Sequence, residues 1–181
     1  MNFKRSISIS MALALLLVAG CAAHMRNPKE QTRSLAYGYI DMSDAPTEAD
    51  VVIIRQQQPK PENNNPYRKA KGVSGVFWFD QLTPGSYQIA GFRGDSFWRG
   101  KYEYFLPELE ENGTQFTINT PGLHFIGSFK FNNKGSYFNL KFDVGKTTTP
   151  SEGELLGRLL PYSVGTQWEQ MIRQRMLELK P

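Results

Sequence analysis

The chain has 181 residues, with 21 lysines and arginines, 17 aspartates and glutamates, and one cysteine. A single cysteine excludes an internal disulfide framework and a cysteine-based zinc site, and the length suits one domain with a sizeable core. Two of the basic residues, Lys4 and Arg5, fall in the first 20 positions, leaving 19 against 17 acids; with no long Lys/Arg block, nucleic acid is not an expected partner.

Lys4 and Arg5 precede an apolar run from Met11 to Val18, then the small residues Ala19 and Gly20 and the lone Cys21. A positive start, an apolar centre and small residues before a cut describe a secretory signal over 1–20. The apolar centre is too short to span a bilayer, which takes about 20 residues. Leu17-Val18-Ala19-Gly20-Cys21 resembles the lipobox of bacterial lipoproteins. The resemblance implies cleavage before Cys21, acyl chains such as palmitate on its thiol and freed amine, and anchorage to a membrane without crossing it. More than one chain makes such anchoring stable, at about 0.8 kcal/mol per buried CH₂. Ala22, rather than Asp, follows Cys21; by enterobacterial sorting rules this implies the outer membrane, facing the periplasm. Residues 21–34 are polar and aperiodic, which predicts a lipidated, flexible tether.

From Leu35 to Val144 the pattern is strand-like. Residues 35–42 form a candidate first strand, and Val51, Val52, Ile53, Ile54 and Arg55 a buried second one. Residues 56–72 are rich in Gln, Asn and Pro and predict a long exposed loop, which places Arg68, Lys69 and Lys71 in solvent, with anionic lipid or peptidoglycan as their alternative contact. Three hairpins are predicted. A type II turn at Thr83-Pro84-Gly85-Ser86 joins the strands 76–79 and 87–90. Asn112-Gly113 leads into 115–119. Asn132-Asn133-Lys134-Gly135 joins two alternating strands, with Phe125, Gly127, Phe129 and Phe131 on one face of the first and Phe138, Leu140, Phe142 and Val144 on one face of the second.

Beyond Val144 the period becomes helical. Ser151 and Glu154 have capping-box spacing ahead of Leu155, Leu156, Leu159 and Leu160, with Pro161 expected to stop the run. Thr166 and Glu169 repeat the spacing ahead of Trp168, Met171, Ile172, Arg175 and Leu179, a stripe expected to pack on the domain's own sheet. The expected fold is mainly β: an antiparallel sandwich, Ig-like in architecture, over 35–145, with a helical appendage of two short helices over 151–180.

The segment 79–89 (Phe-Asp-Gln-Leu-Thr-Pro-Gly-Ser-Tyr-Gln-Ile) resembles a recurring element of transthyretin-like and carboxypeptidase-regulatory-like β-sandwiches: an apolar strand, Leu-x-Pro-Gly-x-Tyr, then another strand. Residues 38–41 and 51–54 resemble their first two strands, and bacterial lipoproteins with such domains share the order lipobox, strands, Pro-Gly-x-Tyr, later strands. The resemblance implies a domain that binds, stiffens or positions rather than catalyses.

No catalytic constellation emerges. His24 falls in the tether and His124 at the start of a strand; there is no Gly-x-Ser-x-Gly nucleophile elbow. Asp41, Asp44 and Asp50 lack the spacing of a calcium loop, and Glu108, Glu110 and Glu111 read as a solvated turn. No metal or cofactor is expected. The segment 92–105 mixes aromatics with Arg, Asp and Gly, so Phe97, Trp98, Arg99 and Tyr102 are the candidate contact residues, since Trp, Tyr and Arg dominate binding hot spots; the competing reading has these aromatics closing one end of the sandwich. The expected function is a non-catalytic, lipid-anchored envelope protein that binds or positions a periplasmic partner. The alternatives are a glycan- or peptidoglycan-binding module using the same patch, and an envelope hydrolase using Asp95, Glu108 or Glu110.

Overall fold

A computed structural model describes residues 24–46, 50–61, 64–96, 100–106, 114–135 and 141–180. Along them run nine strands and two helices: β1 (Ser34–Asp41), β2 (Val51–Gln58), β3 (Tyr67–Val73), β4 (Val76–Leu82), β5 (Gly85–Ser96), β6 (Gly100–Phe105), β7 (Gln115–Ile118), β8 (Leu123–Asn133), β9 (Phe142–Thr147), α1 (Glu152–Ser163) and α2 (Gln167–Glu178). The chain is mainly β, with two sheets that do not close into a barrel and two C-terminal helices, consistent with a β-sandwich.

The strands pair in the order β6-β5-β2-β3-β4-β1-β8-β9, and β7 lies end to end with β6 along the free edge of β5. One strand belongs to both layers. Residues 67–71 of β3 pair with β2, whereas Gly72 and Val73 pair with Phe77 and Val76 of β4. The ribbon therefore turns its corner at Gly72 and folds one sheet over the other. All pairs are antiparallel except β1 with β8, which run parallel.

Two apolar cores result. Between the sheets lie Ile40 of β1, Val52 and Ile54 of β2, Phe77 and Phe79 of β4, Tyr87, Ile89 and Phe92 of β5, Tyr104 of β6, and Phe129 and Phe131 of β8. On the outer face of the second sheet, Leu35 and Tyr37 of β1 and Val76 and Trp78 of β4 meet Leu155, Leu156 and Leu159 of α1 and Trp168 and Ile172 of α2. β1 and β4 are thus apolar on both faces because helices cover one and a sheet the other. Each fully buried leucine or isoleucine contributes roughly 1.5–3 kcal/mol.

Several expectations are corrected. The predicted loop over 56–72 is mostly strand: β2 continues to Gln58 and β3 begins at Tyr67, because Arg55 and Gln56 carry the pairing on to β5. Arg68 and Lys69 therefore sit on a strand. The predicted hairpin at Thr83–Ser86 is a crossing between sheets, since both edges of β4 are already taken by β1 and β3. Gly85 has φ 158°, far from a type II turn, and an added Cβ would collide with the Gln58 carbonyl oxygen. The Tyr87 hydroxyl donates to the Thr83 carbonyl at 2.7 Å and pins the corner, as in the tyrosine corners of other sandwiches. Asn112-Gly113 lies outside the described residues; the strands on either side, β6 and β7, both pair with β5.

The third hairpin forms between β8 and β9, with Asn133 opposite Phe142; Phe138 and Leu140 lie outside the described residues. Its predicted single face is broken by a bulge. Gly127, at φ 125°, takes a conformation only glycine adopts readily, and the register with β1 slips there. Phe125 consequently faces Tyr37, ring centroids 5.8 Å apart, on the helix side, while Ile126 takes its place in the core beside Phe129.

The capping box at Ser151 is made, Glu154 Oε2 accepting from the Ser151 amide at 2.7 Å. Pro161 does not end α1; it sits in its last turn. At α2 the second box does not form: Glu169 accepts from the Gly165 amide, one residue before the N-cap, and Thr166 gives both its amide and its hydroxyl to the Ser163 carbonyl. The stripe of α2 buries Trp168 and Ile172, while Met171 and Leu179 stay at its exposed margin.

Candidate functional site

The predicted flexible tether is corrected over 24–34, for which the sequence shows no periodicity but the fold supplies fixed partners. Met25 is buried among the helices, and its amide donates to the Tyr162 carbonyl at 2.9 Å. The Arg26 amide and guanidinium both donate to Asp80, at 2.7 and 2.9 Å. The Arg26 carbonyl accepts from the Trp168 indole at 2.9 Å. Asn27 accepts from Gln81 and from the Gln167 amide, and Gln81 in turn accepts from the Lys29 amide. The segment is held by β4 on one side and α2 on the other.

This segment roofs a wedge. Because β3 joins β4 only at Gly72 and Val73, residues 68–70 diverge from 78–82, and a cleft of about 300 Å³ opens between them. Its walls carry His24, Arg26, Arg68, Lys69, Trp78 and Asp80. Asp80 is the one carboxylate there. It is buried, and it is committed to Arg26, whose guanidinium it pushes above its ordinary range through their hydrogen bond and charge. A second cleft of about 530 Å³ shares Arg68, Gln81 and Leu82 with the first and adds Arg33 and Lys60. Arg33 pairs with Glu30 at 3.3 Å, yet its buried Nε has no hydrogen-bond partner among the described residues. The two clefts adjoin through these shared residues, and Arg68, Lys69 and Lys60 give them a net positive lining. Sequence reading missed it because its charges come from three separated segments; the one linear trace was the group at Arg68 and Lys69.

Of the predicted contact residues, Phe97, Trp98 and Arg99 lie outside the described residues. Tyr102 is on β6 and half-buried. Its ring lies 6.4 Å from Tyr104, which meets Phe131 and Phe142 edge-on at 5.2 and 5.7 Å. Tyr102 therefore extends the aromatic core to the rim, partly as the core reading expected. Phe105 alternates with Tyr104 along β6 and turns the other way; it is 56% exposed and lines a pocket with Tyr67 and Arg55 on the outer face of the first sheet.

The other candidates do not converge. His124 Nε2 lies 2.7 Å from the Thr120 carbonyl. Asp41 accepts from the Ser43 amide, a bond that holds its carboxyl below the usual range, and Asp44 faces Lys130 at 3.8 Å. Glu108, Glu110 and Glu111 and the Asp95 side chain lie outside the description. Cys21 also precedes the described residues. Among those described, no group of three His, Cys, Asp or Glu could hold a metal ion, and no helix is long and apolar enough to cross a membrane. Comparison with family models, curated proteins and solved structures returned no match.

Proposed function

We propose that the protein is a lipid-anchored, non-catalytic component of a bacterial cell envelope whose sandwich domain binds or positions a periplasmic partner. The observation that carries this reading is the Leu17–Cys21 pattern followed, from four residues later, by a segment bonded to the domain. An acyl chain on Cys21 would then hold a rigid body close to the bilayer rather than a domain on a long leash. The outer membrane is the proposed location, from Ala22. Tyr102 and its neighbours on β6 lie on the strand farthest from β3 in the first sheet, so the proposed partner surface and the anchored edge are at opposite sides of it.

Metabolic labelling with an alkyne fatty acid, followed by mass analysis of the mature N-terminus, tests the anchor. The expected result is acylated Cys21 in the membrane fraction, and loss of label and membrane association in Cys21→Ser. A mature chain with a free thiol sinks the proposal. A photo-crosslinking residue at Tyr102 tests the partner surface, with adducts expected there and not at Lys146 on β9.

A further inference from the structure

We infer that the wedge between the sheets is a docking surface for the phosphate headgroups of the membrane that holds Cys21, so that the domain lies on the bilayer by its β3–β4 corner. This rests on the reading of Cys21 as acylated. Three peptide steps lead from Cys21 to His24, a span of at most about 11 Å. The headgroup layer is itself roughly 5–7 Å deep, so the wall of the wedge that carries His24 can stand no farther than about one screening length, near 8 Å, from lipid phosphates. Bonds from 25–29 to Tyr162, Asp80, Gln81 and Trp168 fix this end of the chain to the domain, so the anchor would reach the body beside the wedge.

The charge at that place suits the occupant. Arg26, Arg68 and Lys69 line the first cleft, and Arg33 and Lys60 the second. The single lining carboxylate is already engaged by Arg26. Arg26 and Arg33 each already hold a carboxylate, Asp80 and Glu30, so Arg68, Lys69 and Lys60 carry the net positive charge of the clefts. Phosphate oxygens accept from guanidinium groups in paired geometry, and ammonium groups add point charge. Trp78, at the inner wall, is of the residue type that settles at a headgroup boundary, although here it stacks on Tyr162 at 5.0 Å and stays with the protein.

The test uses the acylated mature protein in vesicles. With Cys21 acylated, an introduced cysteine is the only free thiol, so nitroxide labels at Tyr67→Cys and, separately, at Lys101→Cys report two edges of the first sheet and leave the cleft cations in place. These strands, β3 and β6, are three intervals apart, about 14 Å. In vesicles containing phosphatidylglycerol and a nickel-chelating lipid, relaxation at Tyr67→Cys is expected to exceed that at Lys101→Cys clearly, because nickel at the headgroups relaxes the nearer label more strongly. Adding Arg68→Gln and Lys60→Gln should cut that contrast by about half or more, since each cation near an anionic surface is worth about fivefold in association. Equal relaxation at the two labels in an acylated chain overturns the docking inference and leaves the anchor standing. An unchanged contrast in the charge variants overturns headgroup recognition. An unacylated Cys21 in the mass spectrum overturns both.

Discussion

Arg26 and Asp80 lie 54 residues apart, and the Arg26 amide and guanidinium both close on the same carboxylate, at 2.7 and 2.9 Å. The two bonds differ in worth. The guanidinium is 70% exposed and its ion pair is screened by solvent, whereas the amide faces a carboxylate that is 8% exposed. Arg26→Gln should therefore cost less than about 1 kcal/mol, and Asp80→Ala about 1.5–3 kcal/mol, because it removes the charged acceptor that the Arg26 amide bonds. Urea unfolding of the two variants checks the order. Trypsin cleavage at Arg26, Lys29 and Arg33 should quicken in Asp80→Ala alone; equal cleavage would show that Asp80 does not hold the segment.

Trp168 links that segment to the helices. It is 1% exposed, and its indole donates to the Arg26 carbonyl. Trp168→Ala should cost about 3–5 kcal/mol, the range for a large buried aromatic, and Trp168→Phe clearly less. Ending the chain after Pro161 removes Trp168 and Ile172 together and uncovers Leu35 and Tyr37. Its melting temperature is expected to fall sharply. Unchanged thermal stability would mean that α2 is not part of the fold's own core.

Tyr37 ties stability to alkaline pH. Burial first, and then the adjacent Glu152 carboxylate that accepts its hydroxyl at 2.9 Å, push its phenol well above the ordinary range, with Arg175 opposing. Below about pH 10, the unfolded tyrosine keeps its proton and the contribution is complete. Above that, the unfolded chain releases the proton while the native one retains it, so stability falls as pH rises. Tyr37→Phe should lose about 1 kcal/mol at neutral pH and show a shallower decline between about pH 10 and 11.5 in urea titrations.

Two glycines should respond in opposite directions. A Cβ on Gly38 would stand 2.7 Å from Phe77 Cζ and 2.8 Å from the Gly127 carbonyl oxygen, while one on Gly157, in α1, meets nothing within 4 Å. Gly38→Ala should destabilise by about 1–3 kcal/mol through overpacking. Gly157→Ala should stabilise by roughly 0.5–1 kcal/mol, the helix-propensity difference. Thermal melts of both variants would expose an error in either packing assignment.

Local chemistry was enough for what local chemistry controls. Alternating apolar residues placed most strands, Ser151 and Glu154 located the start of α1, and the change from period two to helical spacing separated sandwich from appendage. The proposed anchor at Cys21 likewise rests on sequence alone. Tertiary structure decided which edges pair. A strand pattern marks faces but not neighbours, so 83–86 read as a hairpin although β4 and β5 belong to different sheets. One glycine in β8 shifted the alternation by a residue and exchanged Phe125 for Ile126 in the core. The cationic wedge could not be read linearly at all: Arg26, Lys60 and Arg68 become neighbours only because β3 turns the corner at Gly72 and the N-terminal segment folds back across β4. Charge carries no periodicity, and only the path of the backbone brings such groups together.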